Sequence, residues 1–273
     1  MTQRLLIAFL LITISSGAHA ATLYVEKWGR VTNGCGARYD PCSTINAAVQ
    51  QPGFGTNARI IVGPGIYPES VTFTADGVRL ESMAGARVTM LRTPQGSVDV
   101  INAIGDRVRI GRRGKGFTVA GATGSQWAGI RVEGERTRVE GNIIYGNHYV
   151  IRITGAHPQV RYNEVRNNSY YALECNHCER GIIESNDIVD NIVGIGMSGV
   201  APRFQVRRNV VRGNTLSGIE ISNNLNLEQY SIRDNAVEHN SIGIGVGNAN
   251  GATFLGNLMG INAWHGMRLH QLS

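Results

Sequence analysis

Ile183-Glu184-Ser185-Asn186-Asp187-Ile188-Val189-Asp190-Asn191-Ile192-Val193-Gly194-Ile195-Gly196-Met197 holds one turn of a repeat that decides the fold. Two asparagines stand five positions apart, Asn186 and Asn191. An apolar residue precedes the first by three positions, and another follows it by two. The same frame recurs at Asn142/Asn147, Asn163/Asn168, Asn209/Asn214, Asn235/Asn240 and Asn257/Asn262. The first asparagines are spaced 21, 23, 23, 26 and 22 residues apart. Val139, Val160, Ile183, Val206, Ile232 and Phe254 hold the upstream apolar position. Ile144, Val165, Ile188, Val211, Val237 and Met259 hold the downstream one.

A short alternating segment follows each second asparagine: Val150–Ile153, Ala172–Cys175, Gly194–Met197, Gly218–Ile221, Gly243–Val246 and Gly266–Leu269. Gly129–Val132 precedes the first repeat in the same pattern. Period-two alternation marks strands with one face inward. A strand this short needs a partner above and below, so successive coils must stack and share one core. The coils lack helical periodicity, the leucine spacing of leucine-rich repeats and the calcium-binding nonapeptide. The fold class expected is therefore all-β: a single-stranded right-handed parallel β-helix, a solenoid, with a short N-terminal capping helix. The asparagines are expected at the turns, where Asn tolerates left-handed geometry and stacks on its own kind in hydrogen-bonded ladders.

Upstream the repeat is less regular. Ser43–Gln50 reads as a capped amphipathic helix with Ile45, Ala48 and Val49 on one face, placed to cover the open end of the first coil. Strands are expected at Val71–Phe73, Val78–Leu80, Val88–Leu91, Val98–Ile101 and Val108–Ile110. The organisation expected is residues 1–20 as signal peptide, 21–57 as N-terminal strand, disulfide loop and capping helix, and 58–273 as the β-helix.

Arg4, the apolar run Leu5–Ile14 and Ala18-His19-Ala20 form the three parts of a secretory signal. Cleavage after Ala20 would release a secreted or periplasmic protein, and no later segment is long and apolar enough to span a membrane. The chain carries 26 Lys+Arg against 20 Asp+Glu, net +6; the signal holds only Arg4, leaving +5. That balance is mild and has no basic block, which argues against nucleic acid. Only Lys27 and Lys115 are lysines, so the positive charge is nearly all arginine, the residue suited to bidentate carboxylate contacts. In an exported chain, four cysteines read as local disulfides, Cys35–Cys42 and Cys175–Cys178, ahead of redox or metal chemistry. No metal and no cofactor is expected.

The segments Thr22-Leu23-Tyr24-Val25, Ile45-Asn46-Ala47-Ala48 and Pro64-Gly65-Ile66-Tyr67-Pro68-Glu69 resemble the N-terminal coil of pectin-lyase-like β-helix proteins. The Asn-rich half is similar to the repeats of carbohydrate-binding and sugar-hydrolase domains. The resemblance implies a fold shared by pectate lyases, polygalacturonases, pectin methylesterases, alginate lyases and epimerases, and non-catalytic repeat proteins. Gly65-Ile66-Tyr67-Pro68-Glu69 matches the first pectin methylesterase motif, but that family's later aspartate motifs are missing. So are the polygalacturonase signatures and the Asp-Pro-His-Asp of alginate epimerases. Tyr67 and Glu69 are read as a structural turn element.

Stacking places Arg131, Arg152, Glu174, Gly196, Glu220, Gly245 and Arg268 in one outward column, and Glu133, Thr154, Asn176, Ser198, Ser222, Gly247 and His270 in the next. Arg131, Arg152, Glu174 and His177 are the candidate catalytic residues; Glu133, Tyr149, Tyr170, Tyr171 and Glu220 are the candidate ligand-binding residues. In a lyase, Arg131 and Arg152 would neutralise a uronate carboxylate while His177 or Tyr171 removed a proton. In a hydrolase, Glu174 and Glu133 would serve as acid and base. The third reading is a set of ordinary cross-strand ion pairs. The function expected is binding, with or without cleavage, of an acidic polysaccharide or cell-surface glycan; the alternative is a non-catalytic structural, glycan-binding or assembly protein. Gly196 and Gly245 would leave a shallow floor. At the far end, Phe254, Leu258, Trp264 and Met267 would meet a second copy or another partner, unless Trp264 folds over the end of its own coil.

Overall fold

The computed structural model describes residues 20–199, 203–222, 230–247 and 251–270. Residues 1–19 of the expected signal segment lie outside them, as do Gln271, Leu272 and Ser273. After the opening strand Thr22–Arg30, each coil contributes one strand to each of three parallel sheets. The first sheet has ten strands, from Thr22–Arg30 to Ala252–Leu255. The second, entered after the first asparagine, has nine, from Gly65–Pro68 to Leu258–Met259. The third, entered after the second asparagine, has nine, from Val71–Phe73 to His265–His270. Among the described residues no helix is long and apolar enough to cross a membrane.

The register is the one that the apolar frame demands. Val139, Val160, Ile183, Val206, Ile232 and Phe254 pair in succession in the first sheet. Ile144, Val165, Ile188, Val211, Val237 and Met259 do so in the second. In the third sheet Ile130, Ile151, Leu173, Ile195, Ile219 and Ile244 are all fully buried. Stacked β-branched and leucine side chains thus form one continuous core.

The asparagines form two hydrogen-bonded columns. Along the first, Asn163 Nδ2 donates to Asn186 Oδ1 at 3.0 Å, Asn186 to Asn209 at 3.0 Å and Asn209 to Asn235 at 3.0 Å. The backbone N–H of each donates to the same acceptor. Nδ2 also reaches a carbonyl one coil below, as from Asn186 to Val160 at 3.0 Å. The second column repeats this through Asn168, Asn191, Asn214, Asn240 and Asn262. Where the asparagines stop, backbone takes over: Phe117 and Ala122 donate their N–H groups to Asn142 and Asn147.

The turn geometry corrects one expectation. The left-handed residue is not the asparagine but the one before it. Tyr162, Ser185, Arg208 and Asp234 precede first-column asparagines, and Asn167, Asp190 and His239 precede second-column ones, all with φ of 54–57°. The asparagine must aim its N–H and amide along the stack, so the corner falls to its neighbour. That neighbour points outward, which leaves its identity free. Gly218 answers a different demand: a Cβ there would come within 2.8 Å of Asn240 Nδ2 in the next coil. Val237 Cγ1 at 2.7 Å and Gly243 O at 2.8 Å crowd the same point, so close stacking of the next coil requires the glycine in this strand of the third sheet.

Helix α1, Ile45–Val49, begins at Thr44, whose Oγ1 accepts from Ala47 N at 3.0 Å. Ile45, Ala47 and Ala48 are buried and Val49 packs against the core. The helix lies against the strands Thr22–Arg30, Arg59–Val62 and Val71–Phe73. Glu69 accepts the N–H groups of Ile45 and Asn46 at 2.8 and 2.9 Å, and the buried Tyr67 donates to Gly63 O at 3.1 Å. Both are thus parts of the framework at this end. Two disulfides form, Cys35–Cys42 and Cys175–Cys178. Cys178 turns back from its loop and is as buried as Cys175. At the other end, Phe254 and Met267 pack against the core. Leu258 and Trp264 stay 66% and 67% exposed, so Trp264 does not fold over its own coil.

Candidate functional site

The outer face of the third sheet brings most of the expected residues together. Arg131, Arg152, Glu174, Gly196 and Glu220 are direct partners on consecutive strands. Arg152 Nε lies 2.8 Å from Glu174 Oε2. The two are an ion pair, and neither atom bonds to any other group. Their side chains are 28% and 18% exposed, so this capacity is held in a half-buried setting. Burial pushes the Glu174 carboxyl above the usual range, against the opposing pull of Arg152 and Arg131.

Arg131 is engaged elsewhere. Its Nε donates to Asp99 Oδ2 at 2.6 Å and its Nη2 to Asp99 Oδ1 at 3.1 Å. Nη2 also donates to Gln126 O at 2.8 Å. Asp99 is buried and accepts Ala128 N as well. Its hydrogen bonds hold the Arg131 guanidinium above its ordinary pKa. Glu133 is exposed and acts on Arg131 through space only. Asp99 is the residue that sequence reasoning missed. It lies 32 positions from Arg131 on a coil outside the asparagine frame, and no local signal points to it.

An aromatic cluster forms where the strands begin. Tyr149 and Tyr171 lie parallel with ring centroids 6.2 Å apart. Tyr170 meets Tyr149 and Tyr171 edge-on at 5.2 and 4.5 Å, and His148 stacks on Tyr170 at 5.2 Å. The Arg152 guanidinium sits over Tyr149, 4.7 Å from the ring centre. Burial raises the pKa of Tyr149 and Tyr171, so both phenols stay protonated and able to donate.

Two placements differ from expectation. Gly196 does not open a floor: a Cβ there would come 2.2 Å from the Tyr171 ring, which lies across it. Tyr171, Glu174, Gly196, Ser198, Glu220 and Ser222 instead line a small depression beside the ion pair. His177 follows the strand Tyr171–Asn176 in a left-handed turn, exposed, with its ring beside Gly199. It contacts none of the clustered charges. The arrangement offers apolar ring faces, phenol donors and a half-buried ion pair. Among the described residues no three His, Cys, Asp or Glu side chains gather as a metal site.

Residues 113–268 match the family model described as right handed beta helix region. No curated protein matches the chain in sequence. Among solved structures, the A-module of a mannuronan C-5 epimerase of Azotobacter vinelandii is similar at TM-score 0.59 and 17% identity, covering 76% of this chain and 68% of that one. A pectin methylesterase of Aspergillus niger is similar at 0.59 and 12%, covering 93% and 90%. A pectate lyase is similar at 0.52 and 13%, covering 87% and 62%. At these identities the likeness is one of fold.

Proposed function

The chain belongs to the right-handed β-helix family, and on that premise we propose that it is an exported protein that binds an acidic polysaccharide across the outer face of its third sheet. The observation that carries this reading is the Arg152–Glu174 pair: half-buried, covered on one side by Tyr149, with neither of its paired atoms engaged by any other group. A uronate carboxylate arriving over Tyr149 and Tyr171 would offer Arg152 a bidentate partner in place of Glu174. The tyrosine rings would carry the sugar's apolar face. The similar structures are named for acting on mannuronan, pectin and pectate, which supports a carboxylated sugar as the ligand class.

Proton transfer falls to Glu174 in this reading. Burial already raises its carboxyl; a ligand that takes over Arg152 removes part of the opposing pull and raises it further, toward the range of a general acid or base. Arg131, braced by Asp99, positions the neighbouring strand, while Glu133, Tyr170 and Glu220 flank the path. A second reading, a glycan binder without catalysis, is favoured by one observation: both arginines are already compensated, Arg131 by Asp99 and Arg152 by Glu174.

The test is a titration of the protein, Arg152→Gln and Glu174→Gln with polygalacturonate and alginate, reading binding, unsaturated products and new reducing ends. Arg152→Gln is expected to weaken binding roughly tenfold, the worth of one charged hydrogen-bonding contact. Glu174→Gln is expected to bind and to lose any product formation. Binding without product in the parent protein selects the non-catalytic reading. Failure of the parent protein to bind either polymer sinks both.

A further inference from the structure

The upstream half of the first sheet carries a charged row that neither the repeat nor the site above uses. Arg59, Arg79, Arg109 and Arg138 stand directly opposite one another on four consecutive strands. Their inward neighbours Ile60, Leu80, Ile110 and Val139 are buried, so the arginines project outward. At the usual rung spacing the row runs about 14 Å along the solenoid axis. Like charges placed opposite each other on neighbouring strands are destabilising. A fold that only needed a soluble surface would interleave carboxylates.

This protein does so elsewhere in the same sheet. Downstream, Glu184 lies between Arg161 at 3.4 Å and Arg207 at 2.9 Å, on the strands before and after its own. In the upstream row only Arg59 has such a partner, Glu81 at 2.8 Å, which Arg112 shares at 3.2 Å. Among the described residues Arg79, Arg109 and Arg138 form no ion pair; Arg79 and Arg109 are exposed. Partial desolvation, together with Arg138 and Arg79 on either side, outweighs the pull of Glu81 and Glu140 and holds the Arg109 guanidinium below its ordinary pKa. The row ends abruptly, since the next position in register is Gln159.

We infer that this arginine row is a docking track for an extended acidic polysaccharide lying along the solenoid axis, separate from the third-sheet site. The rungs advance by about 4.8 Å, so the row offers a straight line of closely spaced cations along which an extended polyanion can lie. A nucleic acid fits poorly. Its phosphates repeat every ~3.4 Å per strand and wind around the duplex, so a straight row falls out of step with them. The polymer's chemical class rests on the function proposed above; the anion-binding character of the row does not.

The experiment compares the protein, the triple variant Arg79→Gln/Arg109→Gln/Arg138→Gln, and Arg152→Gln. Binding of long polygalacturonate and of a 20-base-pair DNA duplex is measured across a salt series. The triple variant should lose roughly tenfold or more in polygalacturonate affinity, and its salt dependence should flatten, because fewer counterions are exchanged. Its melting temperature should hold or rise, as removal of like-charge repulsion requires. Unchanged affinity and salt slope overturn the track. A clear fall in melting temperature marks the arginines as structural and also overturns it. Tighter binding of duplex than of polygalacturonate, lost in the triple variant, overturns the choice of polymer. If Arg152→Gln binds normally while the triple variant does not, the third-sheet reading fails and the track stands.

Discussion

The inner asparagine columns and the outer row of the third sheet pass through the same coils, one rung per coil, and they are built on opposite terms. Inside, the same residue recurs because each rung is both donor and acceptor for the next: Asn186 accepts from Asn163 and donates to Asn209. Outside, Arg131, Arg152, Glu174, Gly196 and Glu220 follow each other with little repetition. There the hydrogen-bonding capacity of Arg152 and Glu174 is left partly unspent. Stacking constrains whatever must bond along the axis and leaves free whatever points to solvent. In a solenoid, then, repetition marks the scaffold, and a departure from repetition among outward residues is where a site can be built.

The largest expected effect lies in the ladder. Asn186→Ala would strand the N–H and amide of Asn163, the carbonyl of Val160 and an acceptor on Asn209 inside the core. A loss of about 3 kcal/mol or more in unfolding free energy is expected, read from denaturant midpoints. Glu133→Ala, on the outer face, should stay within ~0.5 kcal/mol. Similar losses at the two positions would erase the distinction between inside and outside.

At the C-terminal coil that distinction fades within the structure itself. Leu255, Leu258, Ile261, Trp264 and Leu269 are all more than half exposed on the last strand of each sheet or the turns beside it. Among the described residues these last strands have no further partner, and open strand edges that carry apolar side chains invite pairing with another chain. We propose a second copy of this chain as the partner. Light scattering over a concentration series should show the apparent mass rising toward that of a dimer, and Leu258→Ser/Trp264→Ser should return it to the monomer value. A concentration-independent monomer mass would remove the proposal.

The smallest effect concerns the corners that the asparagines require. Ser185 sits at φ 55°, where a residue with a Cβ is strained and glycine is not. Ser185→Gly should stabilise the fold by roughly 0.5–1 kcal/mol, the strain relieved less the added chain entropy of glycine. Destabilisation there would mean that Ser185 contributes more than a corner.

The third-sheet site was partly legible in the sequence. The period-two frame, which follows each second asparagine and also precedes the first repeat, placed Arg131, Arg152, Glu174 and Glu220 in one column, and they are in one column. What the frame could not supply was the partner of each charge. Arg131 belongs to Asp99 rather than to a neighbour in the repeat, and Tyr171 fills the space over Gly196. His177 looked adjacent in sequence, but the left-handed turn carries its ring toward Gly199. Pairing is settled by side-chain direction and by loops outside the frame, and neither leaves a periodic trace.

The sequence by itself determined the coil, the inward face of every strand from Ile130 onward, and both local disulfides. Its turns there are of nearly constant length, so equal spacing in sequence is equal position in space. Tertiary structure alone decided the rest. Arg59, Arg79, Arg109 and Arg138 are separated by 20, 30 and 29 residues, an irregular series in which no row is visible. They come into line because the upstream turns take up different lengths of chain while the strands between them keep hydrogen-bonded register. How much chain a turn absorbs depends on what it packs against, and that is known only once the coils are stacked.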